Sequence, residues 1–269
     1  MIDLAPNHKL GLQVVNPILL AGGSIGYGEA IHPALATEEL GAVVVGPLLM
    51  QSRAGAPPPR LTKLSGGFVL NTALQNRGLT ATLRNFARLW PRLGCPVIVQ
   101  VAENNVRLLP RMVQQLEEIE SVAGIELLLA HEVENRIVKT LIRAIINSCD
   151  LPLWVKLPMD RSLELAEICI QNEAVGLVIG SASAKLVSNS PIAGNAFGPM
   201  VFPHMVQALR EVALLKLGCA LIACGGIHTV EQVQQALDTG ASALQLDSAI
   251  WVEPGLPAYL SQSYGRTDP

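Results

Sequence analysis

Cys219-Ala220-Leu221-Ile222-Ala223-Cys224-Gly225-Gly226-Ile227, with His228-Thr229 and an amphipathic run over 230–237 behind it, is the stretch on which the fold turns. An aliphatic run, a glycine pair and a helical pattern follow in direct succession, and a second aliphatic run at 243–246 comes next. This order predicts a strand, a crossover helix and a parallel strand. Working outward, short aliphatic runs recur at 17–21, 42–46, 97–101, 125–129, 153–157 and 176–179, which makes eight in all. Apolar residues at helical spacing lie between them, as over 108–119. Eight such units predict an α/β fold, a closed (β/α)8 or TIM barrel, in one domain over 1–269; an open doubly wound sheet is the alternative. A barrel of this kind uses about 250 residues, and the chain has 269.

Hydrophobic residues make up 50% of the chain and charged residues 15%, with a mean hydropathy of +0.38. Strands covered by helices on both faces account for this excess. The richest apolar run, 42–50, is broken by Gly46 and Pro47 and is too short to span a bilayer. A net charge of −3, with three Trp, three Tyr and four Phe, offers neither a basic footprint nor a stacking platform for nucleic acid. The five cysteines show no CxxC spacing and read as buried, reduced thiols. With no signal-peptide pattern at the N-terminus, a cytoplasmic protein with no membrane partner is expected.

Two long loops interrupt the rhythm: 50–78 after the second strand, containing Pro57-Pro58-Pro59, and 181–203 after the sixth. Both follow strands, which places them at the C-terminal face, where barrel active sites form. Residues 2–15 alternate around a turn at Asn7-His8 and predict a hairpin over the bottom of the barrel.

Gly225-Gly226 permits close backbone approach, and the helix start after it offers unpaired N–H groups. Residues 240–249, Gly-Ala-Ser-Ala-Leu-Gln-Leu-Asp-Ser-Ala, would supply the other half of a phosphate site after strands seven and eight. A plain tight turn at the glycine pair is the alternative.

The succession of motifs is similar to that of the dihydroorotate dehydrogenase family, which are FMN-dependent barrels. The matching segments are Asn16-Pro17 to Ala21-Gly22-Gly23, Gly26-Tyr27-Gly28-Glu29, Gly41 to Val45, Arg53 to Arg60, and Asn71 to Leu74 with Asn76 and Gly78. Val155-Lys156-Leu157-Pro158, Gly194, Gly198-Pro199, Pro203, Gly225-Gly226-Ile227 and Gln245 to Ala249 complete them. The resemblance implies oxidation of a CH–CH bond in a small pyrimidine-like substrate, with FMN as cofactor. It implies that Lys156 stabilises negative charge on the flavin, and that the Gly225 and Gly226 amides with Ser248 hold the phosphate. It also places Ala21, Gly22, Ser181 and Gly198 along the cofactor, and Asn71 and Asn76 at the substrate, although both asparagines also read as turn residues. Family members pair as homodimers, and some add a separate iron–sulfur electron-transfer partner.

The sequence departs from the family at the chemistry. Gly46 stands where the family has lysine, Leu128 replaces an asparagine, and a glycine is missing between Ala73 and Leu74. The mobile lid after strand four is absent, and Asp247 stands where the family has glycine. His131 falls near the place of the family's catalytic base. It reads either as that base or as a helix-entry residue bonded to its own loop. A relative that kept the barrel, lost the reaction and binds a ligand or protein partner is the alternative function.

Overall fold

Each of the eight aliphatic runs becomes a strand of one closed, all-parallel barrel in the computed structural model, which describes residues 1–187, 190 and 192–265. The chain opens on a hairpin, β1 (Ile2–Asp3) and β2 (Gln13–Val14), and enters the barrel with β3 (Ile18–Leu20). Next come β4 (Ala42–Leu48), the short β5 (Leu61–Leu64) and β6 (Gly67–Leu70), α1 (Leu79–Phe86), β7 (Val97–Val101) and α2 (Leu109–Glu117). They are followed by β8 (Val122–Leu128), α3 (Asn135–Ile146), β9 (Leu153–Pro158), α4 (Ser162–Gln171), β10 (Gly176–Gly180) and α5 (Ala184–Val187). The last third holds β11 (Asn195–Phe197), α6 (Phe202–Ala213), β12 (Ala220–Cys224), α7 (Val230–Thr239), β13 (Ala243–Leu246), α8 (Ala249–Val252) and α9 (Leu256–Gly265).

Going round the barrel, the order is β3-β4-β7-β8-β9-β10-β12-β13. β13 then pairs with β3, Leu244 opposite Ile18 and Leu246 opposite Leu20, which excludes the open sheet. The first crossover departs from the helical expectation. Two 3-10 turns, Pro33–Leu35 and Thr37–Glu39, stand in place of a helix, and α9 packs over β3 and these turns instead. Among the described residues no helix is long and apolar enough to cross a membrane.

Alternation along the strands divides the core in two. Leu19, Val44, Ile98, Trp154, Val178 and Ile222 form an inner cluster, whereas Leu20, Val43, Val45, Leu177 and Ile179 belong to the larger cluster shared with the helices. Each such buried aliphatic side chain contributes about 1.5–3 kcal/mol. The N-terminal hairpin joins the inner cluster through Leu4, Leu12 and Val14. Trp154 Nε1 donates to the Leu4 carbonyl at 2.8 Å, fixing the hairpin to the bottom of the barrel as the sequence suggests. Room for the indole comes from two glycines: a Cβ at Gly124 would lie 2.4 Å from Trp154 Cζ3, and one at Gly176 2.6 Å from Cδ1.

At the opposite, C-terminal face, the two long loops meet. Loop 50–78 folds into the β5–β6 hairpin, and β11, from the loop after β10, adds to it in the order β11-β6-β5. Asn195 lies opposite Leu70 and Phe197 opposite Phe68, whose rings stack at 5.4 Å. Positions 188, 189 and 191 of that second loop lie outside the described residues.

Candidate active site

Period-two alternation decides which side chains face the lumen. Trp154 and Lys156 stand two apart on β9, so the lysine lies one layer above the indole. Gln100 on β7, Glu126 on β8 and Gln245 on β13 reach the same layer, and all four are at most 5% exposed. Lys156 Nζ donates to Gln245 Oε1 at 2.8 Å and lies 3.8 Å from Glu126 Oε1. Gln100 Nε2 donates to Glu126 Oε1 at 2.6 Å, and Gln245 Nε2 donates to Glu126 Oε2. A buried charge is costly unless it is paired and hydrogen-bonded, and here both conditions hold. Burial opposes the charge on Lys156, but Cys224, Glu126 and Asp247 outweigh it and hold the amine above its ordinary pKa. Burial pushes the Cys224 thiol up to about 12, against the pull of Lys156.

Above this layer lies a cavity of about 150 Å³. Strand ends contribute Ala21, Gly22, Lys156, Ser181, Cys224, Gly225 and Asp247, and the loop sheet with its neighbours roofs it with Leu70, Thr72, Leu74, Asn195 and Phe197. Ala21, Gly22, Lys156, Ser181 and Gly225 thus converge on one cavity. Gly22 must be small there, since a Cβ would lie 2.6 Å from Gln100 Cδ.

The other predicted residues lie elsewhere. Gly226 sits beneath the α6 start, where a Cβ would be 2.4 Å from Phe202 N, and Gly198 packs on the Gly66-Gly67 turn. Ser248 is 2% exposed and turned to Asp247. Asn71 accepts from the Ala73 amide at 3.0 Å and lines an adjoining cleft rather than the cavity. Asn76 is spent on the backbone: its Oδ1 accepts from Leu49 N at 3.3 Å and Gly78 N at 2.9 Å, and its Nδ2 donates to the Pro47 carbonyl at 2.6 Å. His131 also lines the adjoining cleft, its Nε2 2.9 Å from Asn195 Oδ1 and its Nδ1 3.8 Å from Asp160 Oδ1.

Two departures have local causes. Gly46 has φ +119°, and a Cβ there would lie 2.6 Å from the Gln100 carbonyl oxygen, so this backbone leaves no room for a lysine. Ala73 and Leu74, flanking the missing glycine, both take left-handed φ, +48° and +54°, a conformation uncommon for residues with a Cβ. Gln100, Glu126 and Gln245 escaped the sequence reading, although each is a lone polar residue inside an apolar strand.

The C-terminal anion corner also differs from expectation. Thr229 and Gln232 form a capping box at the α7 start. Gln232 Oε1 accepts from His228 N at 2.7 Å and Thr229 N at 3.1 Å, and Thr229 Oγ1 accepts from Gln232 N at 3.3 Å, so the capping box takes three amides at this helix start. Asp247 Oδ1 accepts from Ser248 N at 2.5 Å and from its hydroxyl at 3.1 Å.

A closed α/β barrel with a buried lysine under a loop-roofed cavity at its C-terminal face defines a barrel of the ligand-binding, enzyme-bearing kind. The dihydroorotate dehydrogenase family pattern matches residues 6–259, and the chain belongs to this family of flavin-dependent oxidoreductases. Two relatives are catalytic subunits of dihydroorotate dehydrogenase B (NAD(+)). That of Desulforudis audaxviator is 31% identical, over 92% of this chain and 87% of its own. That of Desulforamulus reducens is 27% identical, over 91% and 88%. The fold is also that of the Eimeria tenella dihydroorotate dehydrogenase crystallised with ferulenol (TM-score 0.76, 18% identity, 91% of this chain and 79% of that one).

FMN is therefore the expected group, and its two ends fare differently. The ring end fits: Lys156 supplies a fixed cation at the floor, and Ala21, Gly22 and Gly225 leave flat backbone walls. The phosphate end does not fit: the Gly225 amide is free, but the Asp247 carboxylate lines the corner and takes the Ser248 donors, and the α7 start is capped.

Proposed function

We propose that this chain is an oxidoreductase that holds a flavin ring over Lys156 and acts on a CH–CH bond of a small cyclic substrate less polar than a dihydropyrimidine. The observation that carries this reading is the buried lysine, bonded to Gln245 and paired with Glu126 at the floor of the cavity. A bound flavin supplies the hydride-accepting chemistry. Lys156 opposes negative charge on the ring's carbonyl edge in a site of low dielectric, while Glu126 and Gln245 fix the direction of its N–H bonds. The substrate side is lined by Leu70, Leu74 and Leu128, with Asn71 and Asn76 both engaged by backbone, which favours an apolar ring.

The test is a titration with lumiflavin, the ring without its tail, followed by fluorescence quenching. Binding that weakens at least about tenfold in Lys156→Met, as expected for a lost charge-assisted hydrogen bond, supports the reading. No binding to the native chain refutes it.

Binding without turnover is the second reading, and one observation favours it: His131 lies in the adjoining cleft, tied to Asn195, so among the described residues no imidazole lines the central cavity. Anaerobic mixing with dihydroorotate or a dihydro-ring analogue separates the two, since turnover bleaches the flavin band and mere binding leaves it. For partners we propose a homodimer and, by analogy with relatives named as NAD(+)-linked catalytic subunits, a separate electron-transfer subunit. A reducing cytoplasm, in which the five free cysteines stay thiols, is the fitting compartment.

A further inference from the structure

Resting on the flavin-ring reading above, we infer that the pocket takes its flavin without a phosphate: its ligand class is a neutral flavin of the riboflavin type, and Asp247 is the specificity-determining residue that turns FMN away.

Of the donors that would serve a phosphate, those at Ser248 and at the α7 start are already committed. The Ser248 amide and hydroxyl both point at Asp247 Oδ1, at 2.5 and 3.1 Å. The Thr229–Gln232 capping box takes the His228 and Thr229 amides. The Asp247 carboxylate thus sits where the chain would otherwise present donors to an outside anion.

Charge points the same way. Among the described residues, Lys156 and Asp247 are the charged side chains that line the cavity. Lys156 is paired beneath with buried Glu126, so the three groups together carry a charge of −1 before any ligand arrives. A phosphate monoester adds about −1.5 to −2 at pH 7. No imidazolium compensates: burial holds the His228 pKa below its ordinary value, against the pull of Asp247 and Glu253. Phe197, Val201 and Trp251, which also line the cavity, are apolar or aromatic, and the indole N–H of Trp251 is taken by the Ser24 carbonyl.

A ribityl alcohol meets the same corner well. Its hydroxyl can donate to the Asp247 carboxylate, a charge-assisted bond. Its oxygen can accept from the Gly225 amide, which lines the cavity and donates to no backbone carbonyl among the described residues.

The experiment compares riboflavin and FMN by fluorescence quenching on the full chain, on Asp247→Asn and on Asp247→Gly, with melting curves to show that each variant folds. The wild type should bind riboflavin at least about tenfold tighter than FMN, given the repulsion expected at contact range in a partly buried site. Asp247→Asn, which keeps the side chain's shape, and Asp247→Gly, which empties the corner, should each raise FMN affinity at least about tenfold and move riboflavin affinity far less. FMN binding to the wild type as tightly as riboflavin, or a riboflavin-to-FMN ratio unmoved in both folded variants, overturns the inference and leaves the ring reading standing. A chain that binds neither of these flavins nor lumiflavin overturns the ring reading, and this inference falls with it.

Discussion

Replacing Lys156 with methionine removes the one cation in a layer of four buried polar side chains and leaves Glu126, 1% exposed, without its counter-charge. Methionine keeps the volume of the stem, so the loss is electrostatic rather than a cavity. Glu126 retains its bonds from Gln100 and Gln245, yet breaking a buried pair from one side typically costs about 3–5 kcal/mol. With about 2.1 cal/mol/K of unfolding entropy per residue over 269 residues, a loss of that size lowers Tm by about 5–9 °C. Neutralising the partner as well, in Lys156→Met/Glu126→Gln, should return at least half of the loss, and urea unfolding of the four proteins gives the coupling. The Lys156 pKa is raised in the fold, so its contribution is complete below the unfolded value of about 10.4 and fades as pH rises through the higher folded value. The difference between wild type and variant should therefore hold from pH 7 to about 9 and shrink above about 10. A single variant within about 1 kcal/mol of wild type, or a double variant whose loss equals the sum of the two singles, would refute this account of the layer.

Three further outcomes follow from the geometry. Trp154→Phe removes the donor to the buried Leu4 carbonyl and should cost about 1–3 kcal/mol, read as a lower urea midpoint with an unchanged slope. Thr229→Ala removes the α7 cap and should cost about 1 kcal/mol while lumiflavin affinity stays constant; a fall in affinity would place Thr229 at the ligand. The Cys224 thiol, pushed up to about 12 by burial, should resist alkylation at pH 8 in the native protein and react after unfolding, as mass mapping of the labelled cysteine would show.

The barrel was legible because strands buried on both faces leave a signal that needs no partner: 220–224 is apolar throughout and 97–101 is apolar but for Gln100, and each lies between turn and helix patterns. The strand-end residues Ala21, Gly22, Lys156, Ser181 and Gly225 were placeable for the same reason, since topology alone carries strand ends to one face. What stayed hidden depends on contacts far apart in sequence. Nothing local to Asn195 announces that it will pair with Leu70, nor that its amide will engage His131. The lone polar residues Gln100, Glu126 and Gln245 carry meaning only once closure brings β7, β8 and β13 around β9. Asn76 was hidden in a different way. Its residue type suits ligand contact, yet it bonds its own backbone neighbourhood, the local competition for which short polar side chains are known.

The bond from Trp154 to Leu4 spans 150 positions, so the plug under the barrel is held by partners far apart along the chain. Leu4 has no such donor until β9 stands in its place, and the hairpin is therefore latched only once the fifth barrel strand has joined its neighbours. Closing so long a loop costs entropy that rises only slowly with its length, which lets a distant latch serve as well as a near one.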